Sequence, residues 1–366
     1  VSVQLIPAAR AIATLADFDV VIDARSEAEY AEDRLPGAVN WPSLDNAQRH
    51  LIGTLYKQVN PFEARKRGAA LVAANVARHI EREVLDKPKG WKPLVYCWRG
   101  GKRSGALSLI LDQIGFRVSL VEGGYKAFRS AVLAEMPELA ARQSFRVICG
   151  PTGSGKTRLL HALADRGAQV LDLEHLAHHR SSVLGLIPGE PQPSQKGFET
   201  RIWQALRALD PQRPVFVESE SRKVGNVAVP EPLIVAMRRS PCLRLVLSDE
   251  ERVQLLMEDY DFFARDPELF CQRLDALTEL RGKAVVAQWQ SQVRGGEVEP
   301  VVRELLLAHY DPGYSTSTQR NFVRFADAPV IAPDDRSPQA MRRLADTLLA
   351  QAQTQEQSQV QTEAPV

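Results

Sequence analysis

The stretch Phe145-Arg146-Val147-Ile148-Cys149-Gly150-Pro151-Thr152-Gly153-Ser154-Gly155-Lys156-Thr157 decides the fold of the larger part of the chain. Phe145 to Cys149 is an apolar run of strand length, and Thr157 to Asp165 continues at helical spacing. Between them, Gly150 to Thr157 fits G-x-x-x-x-G-K-[ST], the loop whose backbone wraps a phosphate chain when a strand precedes it and a helix follows. Gly150, Gly153 and Gly155 let the N–H groups turn inward, with Thr152 and Ser154 in the same cradle. Lys156 adds a point charge, and the Thr157 hydroxyl can hold Mg²⁺. The pattern specifies phosphate without saying which phosphate.

Two later runs end in acids that belong at the same sheet edge. Val215-Phe216-Val217-Glu218 makes Glu218 the candidate to hold a metal-bound water opposite the phosphate loop. Val170-Leu171-Asp172 offers Asp172 as a group that positions an acceptor. Ser219 to Gly225 supplies hydroxyls and cations for phosphate oxygens, and reads equally well as a solvated loop. His175, His178 and His179 follow Asp172, but no third ligand has zinc spacing, so a polar helix face is expected there and no metal site is assigned.

Upstream, Val95-Tyr96-Cys97-Trp98-Arg99-Gly100-Gly101-Lys102-Arg103-Ser104 places a cysteine between an apolar strand and a loop rich in glycine and cations. Arg99, Lys102, Arg103 and the N–H groups around Gly100, Gly101 and Ser104 favour thiolate over thiol. A helix from about Ser104 to Ile114 would aim its positive end at the same loop. Cys97 is thus the candidate catalytic group. The competing account, a buried structural cysteine with basic neighbours, fits less well because inert cysteines avoid charge.

With 366 residues and 44% hydrophobic content, the chain can bury two cores. Its 46 basic and 45 acidic residues nearly balance, but residues 1–130 carry 19 and 14, a net of +5, which leaves 27 against 31 for the rest. Within the basic part, Arg65, Lys66 and Arg67, on a helix read from Pro61 to Leu85, form a candidate patch for a polyanion, with a solvated helix face as the alternative. Cys97, Cys149, Cys242 and Cys271 have no C-x-x-C and no framework spacing, which argues against disulfide scaffolding. The absence of a leader and of any apolar run of about 18 residues points to a soluble, reducing, cytoplasmic setting with no membrane partner.

The expected fold class is α/β: an N-terminal α/β domain over 1–135, and a P-loop NTPase-like parallel-sheet domain over 136–248. A C-terminal helical subdomain follows over 249–350, returning to the P-loop domain, and 351–366 is expected to be a disordered tail. The subdomain rests on Leu255, Leu256, Phe262, Phe263, Leu269, Phe270, Leu274, Leu277 and Leu280 at helical spacing, its aromatics read as core.

Three segments carry a family resemblance. Val20-Val21-Ile22-Asp23-Ala24-Arg25 with Glu29-Tyr30 and Leu35-Pro36-Gly37-Ala38-Val39-Asn40-Trp41-Pro42 resembles the opening motif of rhodanese domains. Val118 to Phe128, with Glu122-Gly123-Gly124-Tyr125, resembles their closing motif. The resemblance implies a rhodanese-like fold in which Cys97 carries sulfur or selenium. Two positions depart from it. Lys102 stands where the family usually has arginine, with Arg103 one place later, which keeps phosphatase chemistry open. Arg34 stands where histidine is frequent.

The order of the two modules, with Gly53-Thr54-Leu55-Tyr56-Lys57-Gln58 and Asp311-Pro312-Gly313-Tyr314, makes about 340 residues resemble the tRNA 2-selenouridine synthase family. That resemblance implies a transferase that replaces sulfur by selenium at C2 of wobble 2-thiouridine in tRNAs for Lys, Glu and Gln. Its co-substrates would be selenophosphate and geranyl diphosphate, through an S-geranyl intermediate, with no tightly bound cofactor, Mg²⁺ as the accompanying ion, and a monomeric protein. The alternative is a P-loop kinase or ATPase fused to a rhodanese-type sulfurtransferase. A non-catalytic RNA-binding or regulatory protein is disfavoured by the intact Cys97 and Gly155-Lys156-Thr157.

Overall fold

The computed structural model describes residues 3–180, 182 and 185–362, and the chain divides into two compact units. The first comprises Val1–Met136 together with Ser194–Gln204, and the second Pro137–Pro193 with Ala205–Val366.

The first unit is built on strands β1 (Gln4–Pro7), β2 (Val20–Asp23), β3 (Ala38–Asn40), β4 (Pro93–Tyr96) and β5 (Ser119–Glu122), in the order β1-β5-β4-β2-β3. Every pairing is parallel. A parallel sheet is covered on both faces, which is why Pro93-Leu94-Val95-Tyr96 is buried at every position. Ile22, Val95, Leu107, Leu111 and Phe116 lie in one core, each such side chain contributing roughly 1.5–3 kcal/mol by leaving water. Two helices, Asn46–Gln58 and Pro61–Glu83, form a hairpin between β3 and β4. Asn60 caps the second by accepting from Phe62 N–H at 2.7 Å, with Pro61 in the first turn where no backbone donor is needed.

A polar knot sits inside this core. Arg25 is fully buried and bonds both carboxylate oxygens of Asp23 at 2.7–3.0 Å, donates to the Asp33 carbonyl at 2.6 Å, and lies 4.0 Å over the Tyr125 ring. Tyr125 and Thr200 hydroxyls both donate to Asp33 Oδ2, at 2.8 and 3.1 Å. Thr200 belongs to the helix Gln195–Ala208, whose Trp203 packs edge-on against Phe128 at 5.7 Å. Ser194–Gln204 therefore completes the first unit from far along the chain, a return for which the sequence pattern carries no sign.

The second unit holds β6 (Ser144–Cys149), β7 (Gln169–Leu171), β8 (Pro214–Glu218), a small antiparallel pair β9 (Lys223–Val224) and β10 (Val227–Ala228), β11 (Cys242–Leu245) and β12 (Val330–Ile331). Its main sheet runs β12-β11-β6-β8-β7, again all parallel. Between β11 and β12 lies a helical region from Asp249 to Asn321, with Phe263, Phe270, Leu274, Trp289 and Val301 in its core. Phe263 and Phe270 stack on each other at 4.6 Å, so these aromatics are core.

After β12 the last helix, Pro338–Thr362, lays Met341, Ala345 and Leu348 against Leu159 and Leu163 of the helix Lys156–Ala164. It continues through 351–362, the start of the stretch expected to be disordered. Gln, Ala and Glu there are good helix formers and no Gly or Pro interrupts them before Pro365. Residues 363–366 of that stretch lie outside the described residues.

Candidate active-site loops

In the first unit, β2–β4 pairing sets Asp23 opposite Tyr96, so Cys97 leaves the sheet at its C-terminal edge, where ligand sites of parallel sheets form. The loop turns through Gly100 (φ +66°) and Gly101 into the helix Lys102–Ile114. The Glu122-Gly123-Gly124-Tyr125 motif is its foundation. A Cβ at Gly124 would lie 2.3 Å from the Cys97 carbonyl and 2.5 Å from Gly100 N, and φ is +57° there, so only glycine fits. Tyr125 N–H then donates to the Cys97 carbonyl at 2.8 Å, and the Trp98 and Tyr125 rings stack at 5.4 Å.

The Cys97 thiol is 3% exposed at the base of this loop and accepts from Ser104 Oγ at 3.0 Å. Arg99, Gly101 and Lys102 are exposed around it. Arg103 differs, because its guanidinium is bound to Glu29 at 2.7 Å, and Arg49 reaches the same carboxylate at 2.9 Å. Burial raises the Glu29 carboxyl, but Arg103, Ser26 N–H and Arg49 outweigh it and hold the group below its ordinary value. Arg103 thus fastens the helix to the Glu29-Tyr30 segment of the opening motif, and the charges left at the loop are Arg99 and Lys102. Arg65, Lys66 and Arg67 are exposed on the hairpin helix Pro61–Glu83, where Lys66 pairs with Glu63 at 2.6 Å.

In the second unit, Gly153 (φ +76°) and Gly155 (φ +86°) give the phosphate loop its curvature, and a Cβ at Gly150 would lie 2.3 Å from Ser154 Oγ. Lys156 Nζ donates to the Gly150 carbonyl at 2.8 Å, folding back over the loop. Burial opposes its charge, but Tyr314, Glu220, Glu218 and Glu174 prevail and hold its pKa above the ordinary value. Register β6–β8 sets Glu218 opposite Ile148, directly beside the loop. Thr157 Oγ1 donates to Glu174 Oε2 at 3.0 Å and to Glu218 Oε2 at 3.3 Å.

Glu174, Glu218 and Glu220 bring carboxylate oxygens within 4.8 Å of one another. Burial, then Glu174, Glu220 and Asp172, push Glu218 well above the ordinary range against the pull of Lys156. Three carboxylates and a hydroxyl are hard oxygen donors, and an excess of buried negative charge is what a divalent cation relieves, so the donor set fits Mg²⁺. Ser154 Oγ, fully buried, has no hydrogen-bond partner among the described residues.

A cavity of about 1070 Å³ opens over the loop, lined by Thr152–Arg158, His161, Ser219–Lys223 and, from the helical region, Tyr260, Tyr310 and Tyr314. The Ser219–Gly225 segment therefore lies in the site, with Ser219 Oγ 3.3 Å from Tyr314 Oη. Asp172 holds His161 Nε2 at 2.9 Å and caps the following helix through His175 N–H at 2.8 Å. That hydrogen bond raises the His161 pKa. His179, expected on a polar helix face, is buried, because the helix Leu173–Ala177 ends at His178 in the left-handed region and the chain turns inward. Cys149, under the loop, is pushed up by its contact with Cys242 and by burial, and is a packing thiol.

Sequence reasoning missed the brace behind the loop. Arg252, 4% exposed, donates to the Thr152 carbonyl at 2.9 and 3.1 Å and to both carboxylate oxygens of Asp311 at 2.5 and 2.9 Å. Asp311-Pro312-Gly313-Tyr314 thus serves the loop twice, through Asp311 behind it and Tyr314 above Lys156, whose Nζ is 5.9 Å from the ring centroid. Glu174 and Glu220 had no signal of their own beyond lying near predicted strand ends, and His161 none beyond its place on the helix after the phosphate loop.

Residues 8–131 match the family model of the rhodanese-like domain, and residues 143–267 that of the tRNA 2-selenouridine synthase AAA domain. The chain is 37% identical over 247 residues to the tRNA 2-selenouridine synthase of Nitrosomonas europaea, an alignment spanning 66% of this chain and 63% of the relative. Against the proteins of the same description from Bdellovibrio bacteriovorus and Cupriavidus pinatubonensis it is 33% and 32% identical, spanning 83% of this chain and 90% of each relative. Among the described residues no helix is long and apolar enough to cross a membrane. With both modules matched in order and nine-tenths of two relatives covered, the chain belongs to the tRNA 2-selenouridine synthase family.

Proposed function

We propose that the protein is a cytoplasmic, monomeric transferase that converts wobble 2-thiouridine of tRNAs for Lys, Glu and Gln into 2-selenouridine. The observation that carries this reading is the presence, in one chain, of a strand-end thiol loop and of a strand-end phosphate loop, the latter under a cavity of about 1070 Å³.

The chemistry needs both. The C2 sulfur of 2-thiouridine is a poor leaving group. Attack of that sulfur on C1 of geranyl diphosphate forms a C–S bond, expels diphosphate and releases the N3 proton. The selenium of selenophosphate then attacks C2, forming a C–Se bond; the C–S bond breaks, geranyl thiolate leaves and takes up a proton, and water cleaves the P–Se bond to release phosphate. In the first step Gly150, Thr152, Gly153, Ser154, Gly155 and Lys156 hold the diphosphate and stabilise its growing charge. Thr157 with Glu174, Glu218 and Glu220 would hold Mg²⁺, which supplies neutralising charge to the diphosphate. In the second step Arg99 and Lys102 attract the selenophosphate anion while Cys97 handles the selenium. Exposed Arg65, Lys66 and Arg67 offer a footprint to the tRNA backbone.

The test is mass spectrometry of nucleosides from 2-thiouridine tRNA incubated with the protein, geranyl diphosphate and selenophosphate. S-geranyl-2-thiouridine without selenophosphate, and 2-selenouridine with it, are expected. Hydrolysis of ATP at a rate indifferent to tRNA, with neither nucleoside formed, would instead indicate a kinase or ATPase.

A further inference from the structure

The helical hairpin of the first unit ends in an exposed tip. Every residue from Tyr56 to Glu63 is exposed, and Tyr56, Val59 and Phe62 remain 54, 68 and 61% accessible at this one corner. Single exposed apolar residues are ordinary, but two aromatic rings and a valine gathered at one turn mark a surface that meets something. The corner is also firmly built. The Leu55 carbonyl accepts from Val59 and Asn60 N–H, both at 3.1 Å, and Asn60 Oδ1 accepts from Phe62 N–H at 2.7 Å. Rings presented on a fixed turn lose little freedom when a ligand lies against them.

The same tip is basic. Lys57, Arg65, Lys66 and Arg67 face one acid, Glu63, a net of +3 over residues 56–67 in a chain whose total is +1. Lys66 pairs with Glu63 and sets its Nζ 5.2 Å from the Phe62 ring centroid, so cation and ring share one spot. At its other end the hairpin is anchored beside the thiol loop: Arg49 and Arg103 hold the same Glu29 carboxylate, and Ser43 Oγ donates to the Arg103 carbonyl at 3.0 Å. At 1.5 Å per residue Gln58 stands about 14 Å beyond Arg49 along the helix. A stacked strand covers that length in about four nucleotides, at ~3.4 Å each.

Rings beside cations suit single-stranded RNA, whose unpaired bases offer their faces while the backbone offers phosphates; a duplex keeps those faces stacked away. A second copy of the chain would bring two like-charged tips together. A lipid surface is met by an apolar stripe along a helix lying in its plane, whereas these side chains occupy only the corner. We propose that the hairpin tip is a stacking platform for the unpaired bases of an RNA loop: Tyr56 and Phe62 each take the face of one base, and Lys57, Arg65 and Arg67 hold the adjoining phosphates. This rests on the reading of tRNA as the substrate, and adds the groups that grip its unpaired loop.

The test is fluorescence anisotropy of two labelled RNAs of equal phosphate count, a stem closed by an unpaired anticodon-type loop and a blunt duplex, across a salt series. The full chain is compared as wild type, as Tyr56→Ala with Phe62→Ala, and as Tyr56→Leu with Phe62→Leu, with thermal melts to confirm folding. Wild type should bind the stem-loop more tightly than the duplex. The alanine pair should weaken stem-loop binding at least about 20-fold, the low end for two base–aromatic stacks. It should leave duplex affinity and the log–log salt slope unchanged, because no phosphate contact is lost. The leucine pair, which keeps apolar bulk without a π-face, should behave like the alanine pair. Stem-loop affinity unmoved by alanine, wild-type affinity in the leucine pair, or equal losses on stem-loop and duplex would overturn the platform alone. So would a dimer in sedimentation, or binding to phosphatidylglycerol vesicles, that the alanine pair abolishes while stem-loop binding stays intact. Failure of the wild type to bind either RNA or intact tRNA would overturn the tRNA reading, and the platform with it.

Discussion

Cys97 and Gly150 each follow the last residue of a strand in an all-parallel sheet, and each leads through glycines to a helix N-terminus, yet the two loops are finished in opposite ways. Around Cys97 the glycines serve packing: Gly124 lets the closing segment press on the loop backbone, the thiol is 3% exposed, and Arg103 is tied to Glu29. Around Gly150 the glycines serve curvature, and the loop faces a wide cavity with Lys156 folded back over it. The same strand–loop–helix device becomes a shielded one-atom site when a second loop is packed under it. It becomes an open anion cradle when the backbone is left facing space.

If that division is right, the two loops should fail independently. Cys97→Ala should have the largest effect, abolishing 2-selenouridine while S-geranylation proceeds, and nucleoside mass spectrometry reads both products. Full selenation by this variant would remove the thiol from the chemistry. Lys156→Ala should lower geranyl transfer by at least ~10²-fold, as when a preorganised electrostatic donor is removed, and pre-geranylated tRNA should partly restore selenation. A variant that geranylates normally and fails only in selenation would reverse the assignment of the two loops.

A smaller effect belongs to the hairpin of the first unit. Replacing Arg65, Lys66 and Arg67 together by alanine should weaken tRNA binding and flatten its log–log salt dependence by roughly 0.7–0.9 for each phosphate no longer neutralised. Unchanged salt curves would leave that face merely solvated. The smallest concerns the cavity wall. Asp172 raises the His161 pKa above its unfolded value near 6.5, so this pair's contribution to stability is complete below that pH and fades as pH rises through the higher folded value. His161 is largely exposed, so a modest change is expected. The difference in melting temperature between wild type and His161→Gln should shrink from pH 6 to pH 9, and a difference that grows would contradict the pairing.

The parts legible in the sequence are those where backbone geometry dictates residue type. Glycines at 150, 153 and 155 follow from the curvature of the loop, and Glu218 from its place at the end of a buried strand. Gly124 could be matched to a known motif, but its reason, the Cys97 carbonyl 2.3 Å from where a Cβ would stand, is tertiary. The same holds for Arg252, which links Thr152 to Asp311 across 159 positions of chain, and for Glu174 and Glu220, which gain meaning only when β7 and β8 lie side by side. Arg103 was read as a free cation because Glu29, its partner, lies 74 residues away.

Thr200 and Trp203, which close over Asp33 and Phe128, set an order of events during synthesis. A ribosome delivers the chain from its N-terminus, so every strand of the first sheet is available once Met136 has emerged, but the covering helix is not. At ~5–20 residues per second the roughly 70 residues up to Gln204 take about 3–14 s, and they include the whole phosphate loop. For that interval the Phe128 ring and the Asp33 carboxyl wait without their cover. Expressing residues 1–136 alone would make the wait permanent, so a fragment cut at the visible boundary should aggregate where one supplied with 194–204 in trans should not.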